Sequence, residues 1–374
     1  MPQSHDACPE AERVGSGLLQ TPREIFQQPL LWPTTLARVR DAMESLRLNR
    51  FQQARVLLTG AGSSAHAASA VAVAWPGALA VPTTDLLVDA ERYLLGVDVV
   101  ISLARSGDSP ESTAVVERIR AFRSDILQLA ILCNEENALS KSGLDGRIFL
   151  DPRTNDRSLV MTSAFSNLAL AGLCLAQPEA MPSIVKEASD HACVLLPEID
   201  KRCRCAADQI RDRVVVLFSS PLFGWARESG LKVLEMTAGR FPTITETYLG
   251  LRHGPMSFVK TDTFVLCLLS NDPLRRRYEV DLIRELRSKK LGYLVGITEQ
   301  GEADGLFQET IPAVIPHAPD ALRTPYEIVI PQLLGYHLSV RMGINPDNPS
   351  PDGIINRVVQ GFRIHSSDLD GATA

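Results

Sequence analysis

The chain has 374 residues, 45% of them hydrophobic and 22% charged, with a formal net charge of −6, so it supports more than one core and offers nothing basic to a nucleic-acid partner. No apolar run reaches membrane-spanning length, and the polar, acidic start "MPQSHDACPEAERVGSG" is not a secretory signal. Seven scattered cysteines, of which only Cys203 and Cys205 are close together, match neither a disulfide framework nor a zinc site, and the expectation is a cytoplasmic protein with reduced thiols.

In chain order, residues 1–29 are expected to be an extension outside the first sheet. "ARVLLTGAGSSAHAASAVAVAW" (54–75) predicts a strand, a tight turn of small residues and a helix, and "VDVVISLARSGDSPESTAVVERIRAF" (97–122) repeats the plan. "ILQLAILCN" (126–134) and "GRIFLDP" (146–152) read as further strands. A linking helix over 182–208 leads to "DRVVVLFSSPLFGWARESGLKVL" (212–234), again strand, turn and helix. "DTFVLCLLSNDPLRRRYEVDLIREL" (262–286) and "YLVGITEQ" (293–300) continue it. Corresponding strand ends keep a steady offset: Leu57 and Leu217 are 160 residues apart, Ser106 and Asn271 are 165 apart, and so are Cys133 and Thr298. The expectation is therefore two tandem α/β domains, 30–181 and 209–365. Each would be a mostly parallel sheet flanked by helices in a flavodoxin-like, three-layer α/β/α arrangement, with a frayed tail over 366–374.

Two turns carry anion-binding chemistry. "GAGSSAHA" (60–67) places Ser63 and Ser64 where a buried strand turns into a helix, beside the free N–H groups of the helix start. "ARSGDSPES" (104–112) offers Ser106, Ser109 and Ser112 at the next strand end, with Pro110 near the first helical position. Hydroxyl-rich turns at adjacent strand ends form the crevice in which open α/β sheets bind ligands. Neither turn has the lysine of a P-loop, and "GAGSSA" lacks the third glycine of a dinucleotide fingerprint. A small-molecule phosphate held by hydroxyls and backbone, rather than by cations, fits this pattern.

An acid–base set follows. In "GWARESGLKVLEMTAG" (224–239), Glu228, Lys232 and Glu235 stand at i, i+4 and i+7. At 3.6 residues per turn they fall within about 60° of one another, on one face of the helix. An exposed Glu–Lys pair at this spacing is the bland alternative. Against it stand the preceding buried strand and Gly230, which is unfavourable inside a helix and marks close packing or ligand approach. Downstream, "RHGP" puts His253 before a Gly-Pro turn that ends an irregular segment. A carboxylate, an ammonium and an imidazole around a sugar phosphate suffice for proton transfer next to a carbonyl.

Together "GAGSSA", "SLARSGDSPES", "ESGLKVLEMTAG" and "LGLRHGP", with "NDRSLVMTSAFSNLALAG" (155–172) and "NPDNPSPDGIINRVVQGFRIH" (345–365), resemble the sugar-isomerase (SIS) domain proteins. More narrowly they resemble the AgaS-type family of tagatose-6-phosphate ketose/aldose isomerases and galactosamine-6-phosphate deaminases. The wider family includes the isomerase half of glucosamine-6-phosphate synthase, whose "xEGALKLKE" helix "RESGLKVLE" (227–235) matches in register. The resemblance implies Glu235 as the base moving a proton between C1 and C2, with Lys232 and Glu228 in support. It implies His253 as the ring-opening histidine, supplied across a homodimer interface, and Ser64, Ser106 and Ser109, with Ser63 adjacent, as phosphate ligands. Two departures stand out. The segment 236–252 differs from the synthase's, and the lysine of the synthase's C-terminal tail has no clear counterpart in "NRVVQGFRIH". With no glutamine-amidotransferase domain before the first sheet, glutamine-driven synthesis is not expected.

The implied reaction takes a hexosamine 6-phosphate, galactosamine 6-phosphate being favoured, to ketose 6-phosphate and ammonia through an enolamine. It requires neither metal nor redox cofactor. Glu235 would need a raised pKa to act near neutrality, which burial would supply and Lys232 would oppose. The alternatives are isomerisation of tagatose 6-phosphate without deamination, and a non-catalytic phosphosugar-binding regulator.

Overall fold

A computed structural model describes residues 19–47, 54–299, 305–359, 361 and 363–365. The expected tail over 366–374, and the expected extension as far as residue 18, lie outside those residues.

Among the described residues ten strands form two five-stranded sheets. The first holds β1 (Val56–Gly60), β2 (Leu79–Pro82), β3 (Val99–Ala104), β4 (Leu127–Leu132) and β5 (Gly146–Phe149) in the order β2-β1-β3-β4-β5. The second holds β6 (Val214–Phe218), β7 (Thr243–Thr247), β8 (Phe264–Leu268), β9 (Tyr293–Thr298) and β10 (Glu309–Pro312) in the order β10-β9-β8-β6-β7. Read from the other edge, that is the same order as the first sheet. Every pairing is parallel, with Leu57 opposite Val100 in one sheet and Leu217 opposite Cys267 in the other. The central strands β1, β3, β6 and β8 are buried at every residue, as expected of parallel strands covered on both faces, and this is why they read as unbroken apolar runs.

The helices are α1 (Gln20–Phe26), α2 (Gln28–Ser45), α3 (Ser63–Ala74), α4 (Thr83–Val88), α5 (Ala90–Tyr93), α6 (Pro110–Phe122), α7 (Ser163–Ala176), α8 (Met181–Ala207), α9 (Phe223–Met236), α10 (Pro273–Ser288), α11 (Thr324–Glu327) and α12 (Val329–Arg341). One continuous apolar core joins the inner faces of both sheets through α2, α3, α7, α8, α9 and α12, with Trp32 edge-on to Tyr326 at 5.0 Å. Smaller clusters cover the outer faces. From Gln20 the chain is already packed: Ile25 is fully buried, and the Thr21 hydroxyl donates to Asp347 at 2.8 Å. Among the described residues no helix is long and apolar enough to cross a membrane.

The segment before "RHGP" differs from its irregular reading. It contains β7, the edge strand beside β6. Every residue of β7 is only half-buried, and its sequence TITET alternates polar groups on both faces, so it lacks the apolar run that betrays a central strand.

Candidate active site

The strand order 2-1-3-4-5 reverses direction between β1 and β3, and that reversal opens a crevice beyond their carboxyl ends. The turn after β1 is tight. A Cβ on Gly60 would come within 2.6 Å of the Ser64 backbone, so only glycine lets α3 start so close to the strand. Ser109 stands at the N-cap position of α6 without a capping side-chain hydrogen bond, and Pro110 begins the first turn. Ser64, Ser106, Ser109 and Ser112 line one cavity of about 80 Å³ in this crevice, together with Met161 and two arginines, Arg105 and Arg357. The expectation of a site without cations therefore fails at Arg105 and Arg357. Ser63 does not line this cavity; its hydroxyl faces the side chain of Lys232 at 3.4 Å.

The three charges of α9 do meet. Glu228 and Lys232 are completely buried, whereas the Glu235 side chain is 25% exposed. Lys232 Nζ lies 2.9 Å from Glu228 Oε1 and 2.8 Å from Glu235 Oε2, and it donates to the carbonyl of Met161 at 3.1 Å. With Ser63 at 3.4 Å this makes four acceptors around an ammonium that has three protons. Burial alone would lower the Lys232 pKa, but the two carboxylates outweigh it and hold the ammonium above its ordinary value. Burial would likewise raise the Glu228 carboxyl, yet Lys232 and then His66 outweigh it, and the group sits below its ordinary range. His66, on α3, meets Glu228 Oε2 through Nδ1 at 2.9 Å. The signal for His66 was present in "GAGSSAHA", two residues after Ser64, but nothing in the sequence says which way α3 faces.

Gly230 is explained by packing rather than by a ligand, since a Cβ there would meet Thr245 of β7 at 2.9 Å. Glu235 alone of the three charges reaches open space. It lines a cavity of about 710 Å³ between the end of α9 and the chain after α12, alongside Leu231, Leu234, Ile344, Asn348 and Ile355. His253 ends a short 3₁₀ turn after β7 and is exposed. Among the described residues no hydrogen bond or ion pair joins it to the α9 charges. The structure thus brings together Glu228, Lys232, Glu235, Ser63 and His66 as one polar cluster, and Ser64, Ser106 and Ser109 as another. The carbonyl of Met161, which also lines the serine cavity, lies between the two.

No protein-family model matches the chain. The D-galactosamine-6-phosphate deaminase AgaS of Escherichia coli is 33% identical over 399 residues, covering 98% of this chain and 99% of that protein. Its counterpart from Shewanella sp. (strain ANA-3) is 34% identical over 371 residues, covering 93% and 92%. The crystal structure of tagatose-6-phosphate ketose/aldose isomerase from Escherichia coli superposes with a TM-score of 0.84 at 30% identity, covering 96% of this chain and all of that one. The chain belongs to the AgaS-type family of sugar-isomerase (SIS) domain proteins.

Proposed function

We propose that this protein is an amino-sugar-phosphate deaminase/isomerase that converts a hexosamine 6-phosphate, galactosamine 6-phosphate before others, to ketose 6-phosphate and ammonia in the cytoplasm. The relatives named D-galactosamine-6-phosphate deaminase support the substrate class. One observation carries the mechanism: of three clustered charges on α9, only Glu235 opens on a cavity, and a buried ammonium holds it in place.

In this reading Ser64, Ser106 and Ser109 anchor the phosphate, and binding energy at that non-reacting end positions the sugar. Glu235 takes the C2 proton, the C1 carbonyl oxygen takes one from solvent, and an enolamine forms; solvent regains its proton from the nitrogen in the next step. The same carboxylic acid returns the proton at C1, leaving a C2 imine. Water adds to the imine, and ammonia leaves. Lys232 orients Glu235, and Glu228 with His66 fixes Lys232. His253 opens the sugar ring from the partner subunit of a homodimer, which suits an exposed imidazole with no contact to the α9 cluster in its own chain. Ser63 helps seat Lys232.

Glu235→Gln keeps the shape and removes the base. Its kcat should fall about 10²–10⁴-fold with little change in KM, read as ammonia release from galactosamine 6-phosphate. Near-normal turnover by this variant would remove Glu235 from the mechanism. The structural likeness to tagatose-6-phosphate ketose/aldose isomerase favours a second reading, isomerisation of a hydroxyl sugar by the same proton transfer. Assays on galactosamine, glucosamine and tagatose 6-phosphates separate the two by whether ammonia appears.

A further inference from the structure

The serine cavity contains more positive charge than its turns predict. Arg105 is buried, and its guanidinium is committed to backbone carbonyls: Ser158 at 3.3 Å, Leu159 at 2.8 Å and Arg357 at 3.1 Å. It works as a clamp, fixing the loop before α7 and the chain near the C-terminus against the end of β3. Arg357 is different. It is half-buried, its Nη2 donates to Asn155 Oδ1 at 2.6 Å, and no carboxylate lies within ion-pair distance of it among the described residues. A second guanidinium beside Arg105 lines a cavity of four serines, and the carboxylates that act on Arg105, Asp156 and Glu235, lie beyond ion-pair distance of Arg357. Burial, and after it the charge of Arg357, push the Arg105 pKa below its usual value, which puts the two cations within reach of each other. A phosphate monoester dianion in this cavity would give Arg357 an anionic partner, and a planar guanidinium fork suits it.

Arg357 reaches this cavity on a segment that crosses both parts of the site. After α12, Asp347 accepts from the backbone N–H groups of Gln20 at 2.7 Å and Thr21 at 2.8 Å, and its carbonyl accepts from the Leu159 N–H at 2.9 Å. The chain then passes Glu235, where Asn348, Ile354 and Ile355 wall the larger cavity, and reaches the serines at Arg357. Between these two anchor points, residues 351–356 are exposed.

We infer that Arg357 is a phosphate-binding residue, and that the C-terminal segment carrying it is a strap which the phosphate of the substrate holds closed over Glu235. The inference rests on the phosphosugar reading above, and it deepens that reading by naming a ligand from the tail. Binding of the non-reacting phosphate then also completes the wall beside the base, so an unphosphorylated sugar meets a looser site.

The test uses the full-length chain with Arg357→Ala and Arg357→Lys. Titration calorimetry with inorganic phosphate should show affinity about 10- to 100-fold weaker in Arg357→Ala. Arg357→Lys should recover part of it, because charge returns without the fork. KM for galactosamine 6-phosphate should rise with a smaller change in kcat. Limited proteolysis should cut within 351–356, and inorganic phosphate should slow the cut in the wild type but not in Arg357→Ala. Unchanged phosphate affinity in Arg357→Ala overturns the ligand assignment, and phosphate-independent cleavage of the wild-type tail overturns the strap. The two readings also fail separately. A wild type that binds phosphate through Arg357 yet turns over no sugar phosphate defeats the proposed reaction alone. Normal turnover with an unaltered KM in Arg357→Ala defeats this inference alone.

Discussion

Lys232→Met tests whether the α9 charges form a buried cluster or a surface stripe. Methionine keeps the length of the stem and removes the ammonium. Lys232 is fully buried, with carboxylate oxygens at 2.9 and 2.8 Å, so its loss leaves Glu228 buried with His66 as its remaining partner. Breaking a buried pair from one side costs about 3–5 kcal/mol, against ~1 kcal/mol or less for an exposed one. The pH dependence changes sign. In the wild type, Lys232 and His66 hold the Glu228 carboxyl below its ordinary value. Its contribution to stability is therefore present above the unfolded pKa and lost as pH falls through the lower folded value. In the variant, burial is opposed by His66 alone and the folded pKa moves up. Stability then falls as pH rises from the unfolded value through the new folded one, so the gap to the wild type narrows on acidification. Urea unfolding at pH 7 and pH 5 reads both effects. Glu228→Gln/Lys232→Met should lose less than Lys232→Met alone, because the stranded charge is gone. A loss below about 1 kcal/mol at pH 7, or additivity of the two substitutions within about 0.5 kcal/mol, would refute the buried-cluster argument.

The interface role of His253 predicts that His253→Ala and Glu235→Gln subunits, each nearly inactive alone, regain roughly a quarter of wild-type activity when randomly mixed as dimers. No recovery places the whole site in one chain. Glu279, on α10 and buried at the carboxyl ends of β6 and β8, has its carboxyl pushed up to about 7 by burial, against hydrogen bonds from Ser219 and Ser270 that lower it. A raised carboxyl keeps in the folded state a proton that the unfolded chain releases, so stability should fall by about 3 kcal/mol as pH rises from near 4.5 to near 7, and then level off. Asp156, also raised by burial to about 7, adds its own share. Glu279→Gln should therefore flatten part of this limb in urea titrations across pH, and an unaltered slope would show that Glu279 is charged in the folded protein.

How much of this was legible depends on what fixed each feature. The central strands and the two-domain plan rest on continuous apolar runs such as VVVLF, all of it buried, and such a pattern is local. Of the edge strands, β7 and β10 (TITET and ETIP) mix polar residues on a half-buried surface, while β2 is apolar but only four residues long and exposed at both ends, too short to stand out as a strand. The shared face of Glu228, Lys232 and Glu235 follows from helical spacing alone. That Glu235 is the one open to a cavity does not, because the segment from Gly343 to Ile355 builds the opposite wall. The same holds for Arg357, which stands 252 residues from the arginine that clamps it. His66 was in view within its motif, but its role depends on α3 meeting α9, a contact between domains.

The proposed phosphate crevice lies in the first of two similar sheets, and the second shows why it has no equivalent there. The second sheet has the same switch point, between β6 and β8, with Ser219 and Ser270 at the strand ends. There the donors are already satisfied from within. The Ser270 hydroxyl and the Asn271 N–H donate to Asp320, which also pairs with Arg275 at 3.3 Å and Arg323 at 3.4 Å. The Ser219 hydroxyl and the Ser270 N–H donate to Glu279. Two internal carboxyl groups, Asp320 and Glu279, thus take the donors that a phosphate would need. The second domain is left to supply α9 instead. Its glutamate meets the histidine of α3, whose first turn opens the serine crevice. The proposed phosphate anchor and the proposed base therefore come from different sheets, and the packing of α3 on α9 sets the distance between them.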